Sequence, residues 1–220
     1  MQRLTMFPED PDFPLIHTRR YEVRAFRMSE DRFMLRGVVC DEKPAGLYID
    51  GDPDPLWIHH MVVDLEIEYP NLRIDKAHVE YHSHPHFECT NIVPHYDKLV
   101  GLSIARGFNA KVKELFAGPR GCTHITALLS AMAPVAVQTQ WSMRMYEAAQ
   151  GAASGDIPFD SEELRRRRFD GTINTCHVWD EDGRLVDLVR SGAEIETPVA
   201  VSIRLKELGR SEDDWRRMHG

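Results

Sequence analysis

The sequence predicts an α+β fold in which two helices cover one face of an antiparallel sheet. Strand-like segments of alternating polarity fill the chain up to residue 84. Segments in which apolar residues recur at helical spacing follow, up to about residue 146. Strands followed by helices are typical of α+β domains. We expect the 220 residues to form a single domain.

The first two strands are predicted to form a hairpin. An extended, proline-containing arm occupies residues 1–16, and the strands follow at residues 21–28 and 32–40. Residues 51–55 are rich in Asp, Pro and Gly, so they form a turn before the next strand.

The third and fourth strands carry the clearest alternation. Apolar residues occupy the odd positions from 61 to 67, and this parity puts His59 on the apolar face. The fourth strand spans residues 72–84 and ends at Pro85. One face of this strand carries a polar ladder, made of His78, Glu80, His82 and His84.

Two helices are predicted after the sheet. The first runs from Tyr96 to Phe116, where Gly118 and Pro119 stop it, and the second runs from Thr123 to about Tyr146.

The last part of the chain is predicted to contain a surface loop, a hairpin and a short helix. The loop covers residues 151–158, and the hairpin pairs residues 172–179 with 184–190 around an Asp-Gly turn. A terminal helix starts near Ser211.

Composition excludes several classes of function. A net charge of −8 disfavours nucleic-acid binding, and the basic run 165–168 fits a solvated helix face better than a phosphate site. No apolar run is long enough for a membrane span, and the first residues lack a signal-peptide pattern, so we expect a cytoplasmic protein. The sequence also lacks a glycine-rich phosphate loop, which argues against a nucleotide cofactor.

Histidines crowd one short segment of the fourth strand. His78, His82, His84 and His86 fall within nine residues. Because imidazole titrates near neutral pH and also binds transition metals, the cluster indicates either proton transfer or a metal site. Alternating polar residues are equally typical of a solvated sheet face, so that interpretation also stays open.

The metal interpretation has two forms. The pair His82 and His84 can be completed by His78, Glu80 or His60, for zinc or iron. Alternatively, cysteines join the histidines in a zinc site, for which Cys89, Cys122 and Cys176 are the candidates. None of these cysteines has CxxC spacing, so buried, inert thiols remain the alternative.

Two further residues are candidates for binding a substrate. His124 lies at the predicted start of the second helix, where free N–H groups favour an anion or a phenolate. Arg19 precedes the first strand and can contact an anion.

An ordered set of motifs resembles a bacterial family known as domain of unknown function 2889. The resemblance spans about residues 17 to 190, although residues 78–86 depart from it by carrying histidines. The matching motifs are His17-Thr18-Arg19-Arg20, Tyr96 with Leu99-Val100-Gly101, Gly107-Phe108, Gly121-Cys122-Thr123-His124 and Cys176-His177.

The resemblance implies breakdown of lignin-derived aromatic compounds, including a cofactor-free lyase that releases formaldehyde from phenylcoumaran dimers and leaves a stilbene. On this hypothesis His82 or His84 is the base, and Tyr81 or His59 stabilises the departing phenolate. The predicted substrate-binding residues are Arg19, His124, His78 and Glu80.

We therefore expect a homodimeric, cofactor-free carbon–carbon lyase that acts on a small aromatic substrate. The open sheet face is the reason to expect either a dimer partner or a substrate cavity. The alternatives are a zinc- or iron-dependent hydrolase or oxygenase that uses residues 78–86, and a non-catalytic ligand-binding or structural zinc protein.

Overall fold

The structure is a computed structural model that describes residues 7–154, 169–170 and 172–219. It divides into two compact units, residues 1–143 and 144–220. The predicted basic run 165–168 and most of the predicted loop, residues 155–158, lie outside the described residues.

A four-stranded antiparallel sheet organises the first unit, as predicted. The strand order is β1-β2-β3-β4, so each strand pairs with its neighbours in sequence. The strands are β1 (Thr18–Arg27), β2 (Arg32–Lys43), β3 (Leu56–Glu68) and β4 (Arg73–Ser83). Described residues of the predicted arm, from 7 to 16, are exposed and precede β1.

The register places the odd-numbered residues of neighbouring strands opposite one another. Val23 lies opposite Gly37, which lies opposite Val63, which lies opposite Val79. Because directly opposed residues share a face, these positions form one apolar surface that is buried from β2 to β4. Most even-numbered residues, including His78 and His82, occupy the other face, whereas a register shift near Ile67 turns Ile74 into the core.

Two helices cover the apolar face of the sheet. They are α1 (Phe108–Phe116) and α2 (Thr123–Ser154). The α2 helix approaches β2 so closely that a side chain at Gly37 would lie 2.6 Å from Met132 Sδ. The shared core unites both layers and includes Phe33, Leu65, Val112, Ile125 and Leu128.

The first helix is shorter than predicted. Residues Phe87–Leu99 form 3-10 turns, and the continuous helix predicted from Tyr96 to Phe116 is therefore wrong. Gly101 and Gly107 adopt φ values of 88° and 86°, which interrupt a right-handed helix between the two segments. Tyr96 is nevertheless buried, in agreement with the apolar periodicity.

The second helix is longer than predicted. It continues through Ser154, so residues 151–154 are helical rather than part of a loop. Alanines at 148, 149, 152 and 153 explain the extension, since alanine has the highest helix propensity.

The second unit contains short helical segments. Their bounds are His177–Trp179 (3-10), Arg184–Arg190, Val199–Glu207 and Glu212–His219. The predicted hairpin is wrong because 184–190 is helical, with Val186 fully buried. Its apolar residues at 185, 186, 188 and 189 fit helical spacing as well as a strand. The predicted terminal helix is confirmed.

Among the described residues, none of the helices combines the length and the hydropathy that crossing a bilayer requires.

Candidate functional site

A buried carboxylate lies at the centre of the candidate site. Asp41 is on the apolar face of β2, and only 2% of the residue is exposed. Arg19 of β1 binds it through two hydrogen bonds, Nε to Oδ1 at 2.5 Å and Nη2 to Oδ2 at 2.6 Å. A bidentate contact of this kind fixes both the position and the charge of the carboxylate.

Strand register explains why these groups meet. Arg19 lies opposite Asp41 in β1 and β2, and Asp41 lies opposite His59 in β2 and β3. The three side chains therefore stand in one row across the sheet. A register shift follows directly after Asp41, and such irregularities re-aim side chains at the end of a strand.

Two histidines contact the same oxygen of Asp41. His59 Nδ1 lies 2.9 Å from Oδ2, and His124 Nε2 lies 3.3 Å from it. The two imidazole rings are stacked, with 3.9 Å between their centroids. A third imidazole, that of His17, has its Nε2 3.5 Å from Oδ1. Four basic side chains thus surround one carboxylate.

The electrostatics keep Asp41 ionised and His59 neutral. The hydrogen bonds from Arg19 lower the pKa of Asp41 to about 2, against the opposing effect of burial. Burial and the neighbouring His124 lower the pKa of His59, although the contact with Asp41 acts in the opposite direction. Since neutral His59 donates its Nδ1 proton to Asp41, its Nε2 lone pair is available as a base.

A thiol lies beside the histidine pair. Cys122 immediately precedes α2, and its Sγ lies 3.7 Å from His124 Nδ1. Its backbone N–H donates to the Tyr96 hydroxyl at 2.8 Å. Burial alone would raise the pKa of Cys122, but the hydrogen bond with His124 and the N–H groups of the first helical turn lower it to about 7.

A glycine before α2 allows the chain to fold back closely on residue 116, just ahead of Cys122. A side chain at Gly121 would overlap the backbone of Phe116, so residues 116 and 121 can pack together only without one. The α2 helix begins at Thr123, as predicted.

Two tyrosines complete the surroundings of the thiol. The Tyr81 hydroxyl is buried and meets no partner at hydrogen-bond geometry among the described residues, but it interacts with the Cys122 sulfur closely enough to change the pKa of both groups. Burial is the main cause that raises the pKa of Tyr81, and it raises the pKa of Tyr96 to about 12. Both hydroxyls are therefore protonated at neutral pH, and that of Tyr81 can donate to a bound molecule.

The donor set also has the size of a metal site. One ligand atom each from Asp41, His59 and His124 lie within 4.8 Å of one another, and two imidazoles with a carboxylate suit zinc or iron. However, Arg19 already holds both oxygens of Asp41, and its fixed positive charge would repel a cation there. The contacts of Arg19 are thus unfavourable for a metal ion at Asp41.

The structure separates the polar ladder of β4 from this site. His78, Glu80 and His82 occupy the opposite sheet face, with side chains 67%, 50% and 50% exposed. Glu80 pairs with both histidines, at 2.8 Å and 3.2 Å. His84 lies beyond the end of β4, where Nδ1 contacts the His86 carbonyl. The expected dry cavity around residues 78–86 is therefore not found.

The predicted cysteine-centred zinc set does not assemble in the described part of the first unit. His78, His82, His84, Cys89 and Cys122 form no group of three converging ligands within those residues. Cys176 is exposed and belongs to the second unit.

Sequence reasoning named Arg19, His59 and His124 as candidates but missed Asp41, the carboxylate that contacts all three. The predicted strand ended at residue 40, one position before Asp41. The apolar positions 33, 35 and 39, together with Gly37, set a parity that continues to residue 41. An acid at the next core-facing position was the signal that could have identified the site.

Of the comparisons with known proteins, the one with family models gives a match. A family model described as "Protein of unknown function (DUF2889)" matches residues 17–138, which include every residue of the Asp41 site. Neither the curated proteins nor the solved structures contain a match to the chain. Since the matched residues make up more than half of the sequence, the chain belongs to the DUF2889 family.

Proposed function

We propose that the protein is an enzyme that uses histidine acid–base catalysis, without a cofactor, to cleave a carbon–carbon bond in lignin-derived aromatic dimers and release formaldehyde. One observation carries the catalytic part of this proposal: two stacked histidines share the buried carboxylate of Asp41. The substrate class rests on the family resemblance.

The proposed reaction needs one base and one proton donor. The base removes the proton of the primary alcohol, the carbon–carbon bond breaks, and the alcohol carbon leaves as formaldehyde. The electron pair forms the stilbene double bond and expels the phenolic ether oxygen as a phenolate. The donor protonates that phenolate, so the reaction is neutral overall and consumes no second reactant.

His59 is the proposed base. Its pKa is lowered, so the ring is neutral at cellular pH, and Asp41 fixes the tautomer that leaves Nε2 free. The same carboxylate stabilises the imidazolium that forms, as the acid of a catalytic triad does.

Three groups near His59 can stabilise the departing phenolate. His124 and Arg19 are candidates, although the N–H groups that they direct into the site already contact Asp41, and the third candidate is the buried hydroxyl of Tyr81, which supplies an O–H donor. Of these we propose Tyr81, because a buried hydroxyl without a partner gains most from a bound acceptor.

This proposal moves the base from His82 or His84 to His59. At least half of the His82 side chain is exposed, and its partner is the exposed Glu80. Solvent around such a ring would screen the charges that develop during the reaction.

The test incubates the full-length protein with phenylcoumaran dimers and measures formaldehyde and stilbene. We expect His59→Gln to lower kcat by roughly 100-fold or more, since that is the usual contribution of a general base. His82→Ala is the matched contrast on the opposite sheet face, and it should retain activity. An inert wild type would reject the substrate class, whereas equal activity of His59→Gln and wild type would reject the base.

Elemental analysis tests the cofactor-free part separately. An active preparation without stoichiometric zinc or iron agrees with the proposal. Activity that requires one bound metal ion per chain would instead support the metal-dependent alternative at the same three side chains.

A further inference from the structure

Cys122 contacts His124, which contacts Asp41, and the lyase proposal gives the Cys122 thiol no role. We propose that Cys122 is a nucleophile that accepts an acyl group from an activated ester or thioester, with His124 as its base and Asp41 as the group that orients the base. This activity is additional to the carbon–carbon cleavage, and it requires neither His59 nor an aromatic substrate.

The contacts define the role of each group. Sγ of Cys122 lies 3.7 Å from Nδ1 of His124, within hydrogen-bond reach for sulfur. The opposite ring nitrogen, Nε2, lies 3.3 Å from Oδ2 of Asp41. Since the ionised carboxylate requires a proton on Nε2, Nδ1 is the nitrogen that can receive the thiol proton. This sequence of nucleophile, base and orienting acid is that of acyl-transfer triads.

The start of α2 favours the thiolate. Cys122 occupies the position where a side chain accepts hydrogen bonds from the first free N–H groups of the helix, and those of His124 and Ile125 act on its sulfur. The resulting pKa of about 7 supports the geometric argument. The thiol is also partly exposed, so a reagent can reach it.

Cys40 is a thiol of the same protein that differs from Cys122 in both its burial and its pKa. It is 7% exposed, and burial raises its pKa. It belongs to the core-packed cysteines that the sequence interpretation kept as an alternative.

The Tyr81 hydroxyl supports a place for a bound carbonyl beside the sulfur. It is buried, it meets no partner at hydrogen-bond geometry among the described residues, and its interaction with the Cys122 sulfur lowers the pKa of that thiol. When a thiolate attacks a carbonyl, the oxygen becomes negatively charged and needs a donor at that moment. An unpartnered O–H close to the sulfur meets this need.

The chemical step is balanced without an added oxidant or reductant. His124 takes the thiol proton, the sulfur bonds to the carbonyl carbon, and the oxygen collects the electron pair beside Tyr81. The pair then returns, the bond to the leaving alcohol or thiol breaks, and His124 protonates the leaving group. Water hydrolyses the resulting thioester and regenerates the thiol.

Several charged or titratable groups surround the sulfur and would shape its pH dependence. His124 faces it from α2, Tyr81 from β4, and Tyr96 from the 3-10 segment 87–99. Behind His124 lie Asp41, whose Oδ2 is 3.3 Å from Nε2, and His59, whose ring is stacked on that of His124.

The test treats the full chain carrying Cys89→Ser and Cys176→Ser with 4-nitrophenyl acetate. These substitutions remove the two other accessible thiols. We expect a burst of one equivalent of 4-nitrophenolate and one acetyl group on the Cys122 peptide by mass spectrometry. Acetylation elsewhere, or none, would overturn the proposal.

Two variants separate the base from the oxyanion donor. His124→Gln should slow acetylation roughly 100-fold or more. Tyr81→Phe should slow acetylation about 10-fold or more and should slow alkylation of Cys122 by iodoacetamide clearly less, since alkylation forms no oxyanion and loses only the contribution of Tyr81 to the low pKa of the thiol. Should His124→Gln fail to fold, Tyr81→Phe alone decides: equal slowing of both reagents, or of neither, contradicts the assignment.

Discussion

At the scale of single residues, Asp41 determines both the stability and the chemistry of the site. Its carboxylate is 2% exposed and receives four basic side chains, of which Arg19 makes the only bidentate contact among them. Burial of a charge is unfavourable unless partners compensate for it, so Asp41 and Arg19 must be retained or replaced together.

Asp41→Asn should destabilise the protein in a pH-dependent way. The folded-state pKa, about 2, lies below the ordinary value for Asp, so this contribution is present above about pH 4 and is lost as pH falls towards 2. At pH 6 we expect a loss of about 2 kcal/mol in the free energy of unfolding, with allowance for the partly exposed Arg19. Urea denaturation from pH 2 to pH 6 measures the difference.

The matched control for this prediction is Asp64→Asn. Asp64 also has a bidentate arginine partner, Arg36, but the pair lies on the outer sheet face, where water screens it. We expect a much smaller effect there. An equal loss in both variants would show that burial of Asp41 has no special role.

At the scale of elements, the contact of α2 with β2 sets the position of the site. Gly37 lets α2 lie directly on the sheet, and a side chain there would meet Met132 at 2.6 Å and Leu128 at 3.2 Å. The same helix begins with Thr123 and His124, so its distance from the sheet determines how far His124 stands from Asp41.

Gly37→Ala should therefore reduce the free energy of unfolding by about 1 kcal/mol through overpacking. In a Met132→Ala background the added methyl group enters vacated space, so its cost should shrink or reverse. Urea unfolding of the two single variants and the double variant gives the coupling energy. Additive effects would contradict the close packing of these residues.

The elements differ in how well the sequence predicted them, for physical reasons. Strands β2 to β4 follow from alternation, because one face is buried and the other is not. The continuous helix predicted over residues 96–116 was wrong because Gly101 and Gly107 adopt a left-handed conformation. The spacing of apolar residues does not reveal that conformation. The hairpin predicted over residues 172–190 was wrong because a short apolar run fits the helical period and the strand period equally well.

The site was less predictable than the sheet because it depends on register. Arg19, Asp41 and His59 are far apart in sequence and meet only through cross-strand pairing. Local patterns therefore favoured the histidine-rich segment of β4, whose members share a face but not a pocket. Residue type alone identified His59 and His124. The alternation of apolar residues in β3 predicted that His59 lies on the apolar face, where the structure has it opposite Asp41.

At the scale of the whole molecule, the family span and the site coincide. Residues 17–138 contain the four strands, α1 and the start of α2, together with Arg19, His59, His124 and His17, the groups that contact Asp41 in the described part of the chain. The core cluster likewise lies entirely between residues 33 and 143. The first unit thus contains a complete core and the complete candidate site.

A fragment of residues 1–154, which keeps α2 whole, should fold cooperatively and preserve the site. We expect its His59 resonance to titrate below the ordinary histidine value, as in the full chain, because burial and His124 are both retained. NMR titration of both proteins makes the comparison. An unfolded fragment, or a His59 that titrates normally, would show that residues 155–220 are required.

The stacked imidazoles have a consequence for the timing of any reaction at this site. With ring centroids 3.9 Å apart, a cation on His124 opposes a cation on His59. A positive charge on the second ring therefore makes protonation of His59 harder, and the neighbouring guanidinium of Arg19 adds to this effect. A reaction that loads a proton onto His59 is consequently easiest when the stacked ring beside it carries no charge.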